Sequence, residues 1–160
     1  MMFVADSGPI ISFARADRLA IVRQVVRELV IPDAVYHEVV TMGAGMPGAE
    51  EVSREEWIRR RELTRPPTAL NLPGTLGDGE REAIALAHEL AAVLIMDEAD
   101  ARDAALRLHI ACLGSLGLLR EAKLQGIIPA VKPHLDALRQ QEFRLSNLLY
   151  QTFLEAMNEA

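Results

Sequence analysis

The sequence has a single cysteine, few aromatic residues and no long apolar run. Cys112 is the only cysteine among 160 residues, so an intramolecular disulfide and a zinc site built from several cysteines are excluded. Aromatic residues make up 4% of the chain, which leaves few rings for stacking on RNA bases. No apolar run approaches the roughly 18 residues that span a membrane, and no secretory leader is visible. We therefore expect one intracellular, cytoplasmic domain over residues 1–160 with no membrane partner.

The sequence also lacks an excess of positive charge. It contains 17 Lys and Arg against 23 Asp and Glu, for a formal net charge of −6. This balance argues against a protein that holds nucleic acid by bulk charge alone. It remains compatible with an acidic site that a cation neutralises. Half of the residues are hydrophobic and a quarter are charged, so intrinsic disorder is not expected.

Short apolar runs alternate with segments of helical periodicity. The alternation predicts an α/β fold, a three-layer α/β/α sandwich with a central, mainly parallel sheet. We interpret residues 143–160 as an amphipathic terminal helix that covers the sheet, a second subunit or a partner. The predicted strands are residues 2–5, 29–31, 92–96, 110–113 and 127–131. The other predicted helices lie within residues 9–26, from Pro32 onward, and at 49–62, 80–91, 100–108 and 116–125.

Four acidic residues occupy positions where chemistry is expected in a parallel sheet. Asp6 and Asp97 each end an apolar run, Glu38 lies on the helix after the second strand, and Glu80 opens the helix that leads into the strand before Asp97. Sites in such folds lie outside the carboxyl ends of the strands. Converging carboxylates repel one another unless a cation neutralises them, and ligation by oxygen alone suits Mg²⁺ or Mn²⁺. The pattern predicts a metal-dependent nuclease site.

Each of these acids also has a simpler structural explanation. Asp6 is placed to cap the following helix, and Glu80 lies in a first turn, where the helix dipole favours acids. Glu38 fits a solvated helix face, and Asp97 fits a solvated loop. Asp100 lies close to Asp97 in the sequence, but an acid in the first turn of a helix is more often a helix-start residue than a metal ligand. The combined pattern is stronger evidence than any single member.

Five blocks of the sequence, in order, resemble PIN-domain proteins. They fall nearest the PIN-like branch of formerly unknown function, which is related to the VapC-type toxins. The five blocks run through most of the chain, which makes the resemblance specific. The blocks are VADSGPII at 4–11, IPDAVYHEV at 31–39, GEREAIALA at 79–87, LIMDE at 94–98 with Ala101-Arg102, and GSLGLL at 114–119 with Ala122-Lys123.

The resemblance implies a five-stranded parallel sheet between helices and a Mg²⁺- or Mn²⁺-dependent endoribonuclease. Asp6, Glu38, Glu80 and Asp97 match the acidic quartet of the family, both as catalytic residues and as metal ligands. Ser7 matches the small polar position beside the first acid. Glutamate at position 80 replaces the aspartate more usual in the toxins, although it is normal for this branch.

Three further residues complete the predicted site. Ser7, Asp100 and Ser115 are expected as accessory residues. Ser115 stands where a polar residue often faces the site, although helix N-capping explains it equally well. Glu82 is the rival of Glu80 for the third acid, and the register of the helix favours Glu80.

The resemblance also implies partners. RNA is the expected substrate, and the chain is interpreted as the toxin of a toxin–antitoxin pair, held by an antitoxin protein. We also expect a homodimer, which a monomer in light scattering at micromolar concentration would contradict. The alternative is a catalytically silent PIN-like protein- or RNA-binding module. The basic residues at 59–61 and Arg65 are either a solvated face or a rim that holds phosphates.

Overall fold

The computed structural model describes all 160 residues and contains one parallel sheet of five strands. In chain order β1 to β5 the strands are Phe3–Ala5, Leu29–Ile31, Ile58–Arg60, Val93–Ile95 and Cys112–Leu113. Their order across the sheet is β3-β2-β1-β4-β5, and all four neighbouring pairs are parallel. The predicted α/β/α fold with a parallel five-stranded sheet is confirmed.

Nine α-helices flank the sheet. Helices α1, α2, α7 and α8 contact one another, while α5 contacts both α3 and α6. Helix α3 continues without a break into a π-helical turn, His37–Thr41, and a 3₁₀ turn lies at Pro67–Leu70. Helices α1 to α9 are Ser7–Arg15, Leu19–Val26, Asp33–Tyr36, Ala49–Arg54, Asp78–Leu90, Ala99–Arg107, Ser115–Leu124, Lys132–Gln140 and Asn147–Ala156.

A cluster of 39 buried hydrophobic residues holds the sheet between the helices. Val4 of β1 and Leu94 of β4 are fully buried, as are Phe13 of α1, Ile84 of α5 and Leu118 of α7. Strands that are covered on both faces carry continuous apolar sequence, as β1, β2 and β4 do. This packing fixes the central strands, and therefore the positions of the residues at their carboxyl ends. No helix is both long and apolar enough to cross a membrane.

The helix predicted over residues 49–62 is wrong in its second half, and an edge strand there was not predicted. The helix predicted over 49–62 ends at Arg54, and the chain then enters strand β3 at Ile58. Strand β3 lies at the edge of the sheet and pairs only with β2. Ile58 is buried, whereas Arg59 and Arg60 are exposed. A single buried residue gives no visible strand periodicity, so this edge strand is hard to detect in the sequence.

The segment 127–131 does not form the predicted last strand. It lies between α7 and α8, where Ile128 and Val131 are buried in the core. Pro129 cannot donate a backbone hydrogen bond to a sheet. Helix α8 has no counterpart among the predicted elements. The terminal helix begins later than predicted, at Asn147, because the Ser146 hydroxyl caps it by accepting a 3.1 Å hydrogen bond from the Leu149 N–H.

Candidate active site

A pocket of about 380 Å³ at the carboxyl edge of the sheet contains all four predicted acids. Asp6 directly follows β1, and Asp97 lies two residues after the end of β4. Glu38 lies on the π-helical turn beyond β2. Glu80 is the third residue of α5. Ser7 and Glu98 line the same pocket, and no lining residue is hydrophobic. The topology of the sheet therefore brings together acids that are up to 91 positions apart in the sequence.

Asp6 is the most buried of the four acids, with 7% of its surface exposed. Its backbone N–H donates to the Ile95 carbonyl at 3.0 Å, which joins it to the end of β4. It precedes α1 but makes no side-chain capping bond, and its Oδ1 is buried without a hydrogen-bond partner. Helix capping therefore does not explain why Oδ1 is buried. A buried carboxylate oxygen with no donor is what a cation site provides before its ion binds.

The pKa of Asp6 is raised from 3.8 to about 7. Burial is the largest cause, because it penalises the charged form, and the nearby charges of Glu38 and Glu80 act in the same direction. The backbone amides of Ser7 and Gly8 act in the opposite direction without cancelling the effect. Glu38 and Glu80 line the same pocket as Asp6, which is why their charges act on its carboxyl group.

Glu38 is held in place by a residue from another element. The Ser7 hydroxyl, at the start of α1, donates a 2.6 Å hydrogen bond to Glu38 Oε2 across 31 positions of sequence. Glu38 is half-buried, so it is not simply an acid on a solvated helix face. The accessory position predicted for Ser7 thus corresponds to a side chain that orients a predicted metal ligand.

Glu80 and Glu82 have different surroundings, although they lie two residues apart on α5. Glu80 lines the pocket, and its Oε1 accepts a 2.9 Å hydrogen bond from the Gly77 N–H, as the acid of a capping box does. Glu82 lies outside the pocket and accepts a 3.1 Å bond from the Ala34 N–H in the first turn of α3. The structure therefore brings Glu80, and not Glu82, to the other acids.

Asp97 is bound by Ser115 through two hydrogen bonds. The Ser115 N–H donates to Asp97 Oδ1 at 2.8 Å, and the Ser115 hydroxyl donates to Oδ2 at 2.6 Å. Ser115 is fully buried and is the first residue of α7, one position after the capping residue Gly114. Helix capping is therefore not its role. Ser115 holds Asp97 from behind the pocket instead of lining it.

Asp100 is not brought to the pocket. It lies exposed in the first turn of α6 and is absent from the pocket wall, whereas Glu98 forms part of that wall. Sequence reasoning did not select Glu98, and its position directly after Asp97 was the available signal. Gly79 also lines the pocket and was not predicted, because a glycine carries no side-chain chemistry that a sequence pattern can register.

The oxygen ligands that the acids offer suit a hard divalent cation, but the side chains are not arranged as a preformed metal site. No three His, Cys, Asp or Glu side chains in the chain come together as metal ligands. Glu38, Glu80 and Asp97 each accept a hydrogen bond from their own protein donor. Coordination by three of them at once therefore requires side-chain rotation. The all-oxygen donor set and the unpartnered Asp6 Oδ1 suit Mg²⁺ or Mn²⁺.

Arginines at the end of β3 lie along the same edge of the sheet. Arg59 pairs with Glu28 at 3.5 Å, and Arg60 pairs with Asp33 at 2.6 Å. Arg61 and Arg65 are exposed and form no ion pair. Because all five strands are parallel, the carboxyl end of β3, which Arg61 directly follows, lies on the same edge of the sheet as the acidic pocket. Arg65 lies further away, in a pocket that His88 and Glu89 line near the end of α5.

Comparison with known proteins places the chain in a family. The model of the PIN-domain family DUF3368 matches residues 2–159, so the chain belongs to the PIN-domain family, as predicted. A PilT N-terminus domain protein from the hyperthermophilic archaeon Sulfolobus solfataricus P2 has a similar structure, with a TM-score of 0.55 and 21% identity. The match covers 76% of this chain and 93% of that one, and it shows a shared fold. No curated protein matches the sequence significantly. PIN domains are generally nucleases.

The burial of Asp6 predicts an unusual dependence of stability on pH. Because its pKa is raised to about 7 in the folded protein, the folded state holds a proton that the unfolded state has lost above pH ~4. The free energy of unfolding should therefore fall between pH 4 and 7, by on the order of 4 kcal/mol from this group, and level off above pH 7. Urea unfolding of the wild-type chain and of Asp6→Asn measures the effect.

The substitution removes the titrating group, so the free energy of unfolding of Asp6→Asn should not show this fall. Relative to wild type, Asp6→Asn should therefore become more stable as the pH rises to about 7. Asp17→Asn is the matched control. Asp17 is exposed and has a φ of +56°, which Asn also tolerates. A stability difference for Asp6→Asn that stays constant across this pH range would contradict the prediction.

Proposed function

We propose that this PIN domain is a Mg²⁺- or Mn²⁺-dependent endoribonuclease that hydrolyses RNA phosphodiester bonds. Asp6, Glu38, Glu80 and Asp97 are its catalytic and metal-binding residues. The observation that carries the proposal is their convergence on one pocket, with a carboxylate oxygen of Asp6 buried and unpartnered. The family supports it, because PIN domains are generally nucleases that bind divalent metals.

The residues of the chain have distinct tasks in this proposal. Asp6 presents a carboxylate that is shielded from water on its inner side, while Ser7 and Ser115 orient Glu38 and Asp97 through 2.6 Å hydrogen bonds. A bound divalent ion supplies Lewis-acid polarisation of the phosphodiester and lowers the pKa of a water molecule. The acids also keep their negative charge close together, so phosphate is repelled unless that charge is neutralised.

The proposed RNA contacts lie just after β3 and in the loop that follows it. The guanidinium groups of Arg61 and Arg65 are exposed and form no ion pair, so they can bind phosphates. Phosphate contacts of this kind set the register of a nucleic acid without reading its sequence. Arg60 is less available, since it is paired with Asp33 and its guanidinium lies 4.4 Å from the centroid of the Tyr36 ring.

The alternative is a catalytically silent module that binds RNA or protein. A separate cavity of about 910 Å³ favours this alternative, because it lies apart from the acids. Three arginines line it, Arg15, Arg139 and Arg144. A silent module would bind an anionic partner without cleaving RNA, and its binding would not depend on Asp6 or Asp97. The cleavage experiment below separates the two functions.

Substitution of the central acids tests the proposed activity. Asp6→Asn and Asp97→Asn keep the side-chain size but remove the charge that would bind the ion, so each should lower Mn²⁺-dependent RNA cleavage by at least ~100-fold. Cleavage of a labelled RNA is measured with each purified variant, and circular dichroism verifies its fold. Asp17→Asn serves as the control and should cleave like wild type. Cleavage that persists in both site variants would rule out this site.

The proposed RNA contacts are tested by binding instead of cleavage. In an Asp97→Asn background, Arg61→Ala and Arg65→Ala should each weaken single-stranded RNA binding and lower the slope of log K against log salt by about 0.7. Arg54→Ala is the control, because Arg54 precedes β3, pairs with Glu50 and lies at the opposite end of that strand. Equal effects at Arg54 and Arg61 in fluorescence anisotropy would contradict contacts at the pocket edge.

We also propose that the chain is the toxin of a toxin–antitoxin pair and forms a homodimer in the cytoplasm. The resemblance to VapC-type toxins supports the toxin role and implies an antitoxin partner. Helix α9 supports self-association, because Leu148 and Leu149 are 79% and 47% exposed. Expression of the wild-type chain should arrest growth, whereas Asp6→Asn should not. Equal growth with both chains would count against the toxin role without affecting the proposed chemistry.

A further inference from the structure

Gly79, the second residue of α5, leaves room for the carboxyl group of Glu38. A Cβ added at Gly79 would lie 2.2 Å from Glu38 Oε1 and 2.8 Å from both Cδ and Oε2. All three distances are far below van der Waals contact. No side chain larger than hydrogen therefore fits at position 79 while Glu38 keeps its place.

The backbone does not explain this glycine. Gly79 lies inside a helix and lacks the positive φ that the structure has at Gly45, Gly48 and Gly126. Alanine is intrinsically more favourable than glycine in a helix. Gly77 lines the same pocket, yet a Cβ there would approach Glu80 Oε1 only to 3.5 Å, an ordinary contact. The requirement for glycine is thus specific to position 79 and to its contact with Glu38.

Glu38 is enclosed from two sides. Ser7, the first residue of α1, donates to its Oε2, and the first turn of α5 approaches its Oε1 at Gly79. Helix N-termini attract negative charge, so both elements favour a carboxylate in this position. The same position lets Glu38 act electrostatically on Asp6. If position 79 carried a methyl group, Glu38 would have to leave this place.

We propose that Gly79 is a positioning residue of the acidic site, because its missing side chain lets Glu38 extend over the start of α5 toward Asp6 and Ser7. The inference rests on the proposed metal-dependent function. The displaced atoms are the far end of a flexible, half-buried side chain, so rotation of Glu38 relieves the clash without moving the backbone. Alanine at position 79 should therefore impair the site and leave the fold intact.

The experiment compares Gly79→Ala with Gly74→Ala. Gly74 lies in the loop before α5, and a Cβ there meets no atom within 4 Å. Mn²⁺ affinity is measured from the electron paramagnetic resonance signal of free Mn²⁺, alongside RNA cleavage and the thermal unfolding midpoint. Gly79→Ala should lower affinity and cleavage at least about tenfold, with an unfolding midpoint at or above that of wild type. Gly74→Ala should stay within about twofold of wild type.

A second substitution distinguishes positioning from a general structural role. Glu38→Asp shortens the acid, so in the wild-type background it should weaken Mn²⁺ binding. In the Gly79→Ala background, the shorter side chain avoids the added methyl group. The double variant should therefore bind Mn²⁺ at least about threefold more tightly than Gly79→Ala alone. Opposite effects of one substitution in the two backgrounds are the expected signature of the contact between positions 38 and 79.

The outcomes separate this inference from the proposed function. If wild type binds Mn²⁺ and cleaves RNA, and Gly79→Ala does so equally well, the positioning role is wrong and the proposed function stands. A large fall in the unfolding midpoint of Gly79→Ala would also overturn the inference, because the glycine would then be needed by the fold. A wild-type chain that neither binds Mn²⁺ nor cleaves RNA overturns the proposed function, and the inference falls with it.

Discussion

The pairing of β1 with β4 determines the geometry of the site. Ala5 lies opposite Ile95, and the Asp6 N–H extends the ladder by one bond to the Ile95 carbonyl. Adjacent strands are about 4.8 Å apart, and this register places Asp6 next to the chain that leads from Ile95 to Asp97, so both acids line one pocket. Each neighbouring strand adds one component. Strand β2 leads to the turn that carries Glu38, and β5 leads to Ser115. A change in strand order would separate all of these groups.

The hydrogen bonds of the pocket are distributed unequally. Glu38, Glu80 and Asp97 each have a donor, whereas Asp6 Oδ1 is buried with none and the pKa of Asp6 is raised to about 7. The fold therefore bears an electrostatic cost at its most central acid and lowers that cost at the other three. Such a cost is common at functional sites, where a bound ligand compensates for it. A purely structural cluster would be expected to satisfy its most buried member first.

The central strands and the positions of the acids could be predicted from the sequence, because both depend on local pattern. Strands β1, β2 and β4 are covered on both faces, so their sequences are continuously apolar. Edge strand β3 buries only Ile58, and its three residues carry too little pattern to predict. The apolar run at 127–131 is buried without pairing, which shows that burial alone does not define a strand. Local patterns therefore predict the centre of this sheet better than its edges.

Contacts within the site could not be predicted, because they depend on how elements are oriented. The Ser7–Glu38 bond spans 31 positions and the Ser115–Asp97 bonds span 18. Position 115 matched both capping and a site contact in sequence, and only the direction of α7 against β4 separates the two. Gly79 is a stronger case, since its importance lies in the side chain that it lacks. Neither hydrophobic periodicity nor residue chemistry indicates that the Glu38 carboxyl group occupies the space beside Gly79.

The net charge of −6 takes on a different meaning once the charges are located. Acids concentrate in the pocket, while Arg61, which forms no ion pair, follows β3 at the same edge of the sheet. A phosphate backbone is therefore attracted at the rim and repelled at the centre. A divalent ion in the pocket would weaken the central repulsion, because it neutralises part of the negative charge of the acids. In the proposed function, metal binding and RNA binding are then thermodynamically coupled, since each favours the state that the other requires.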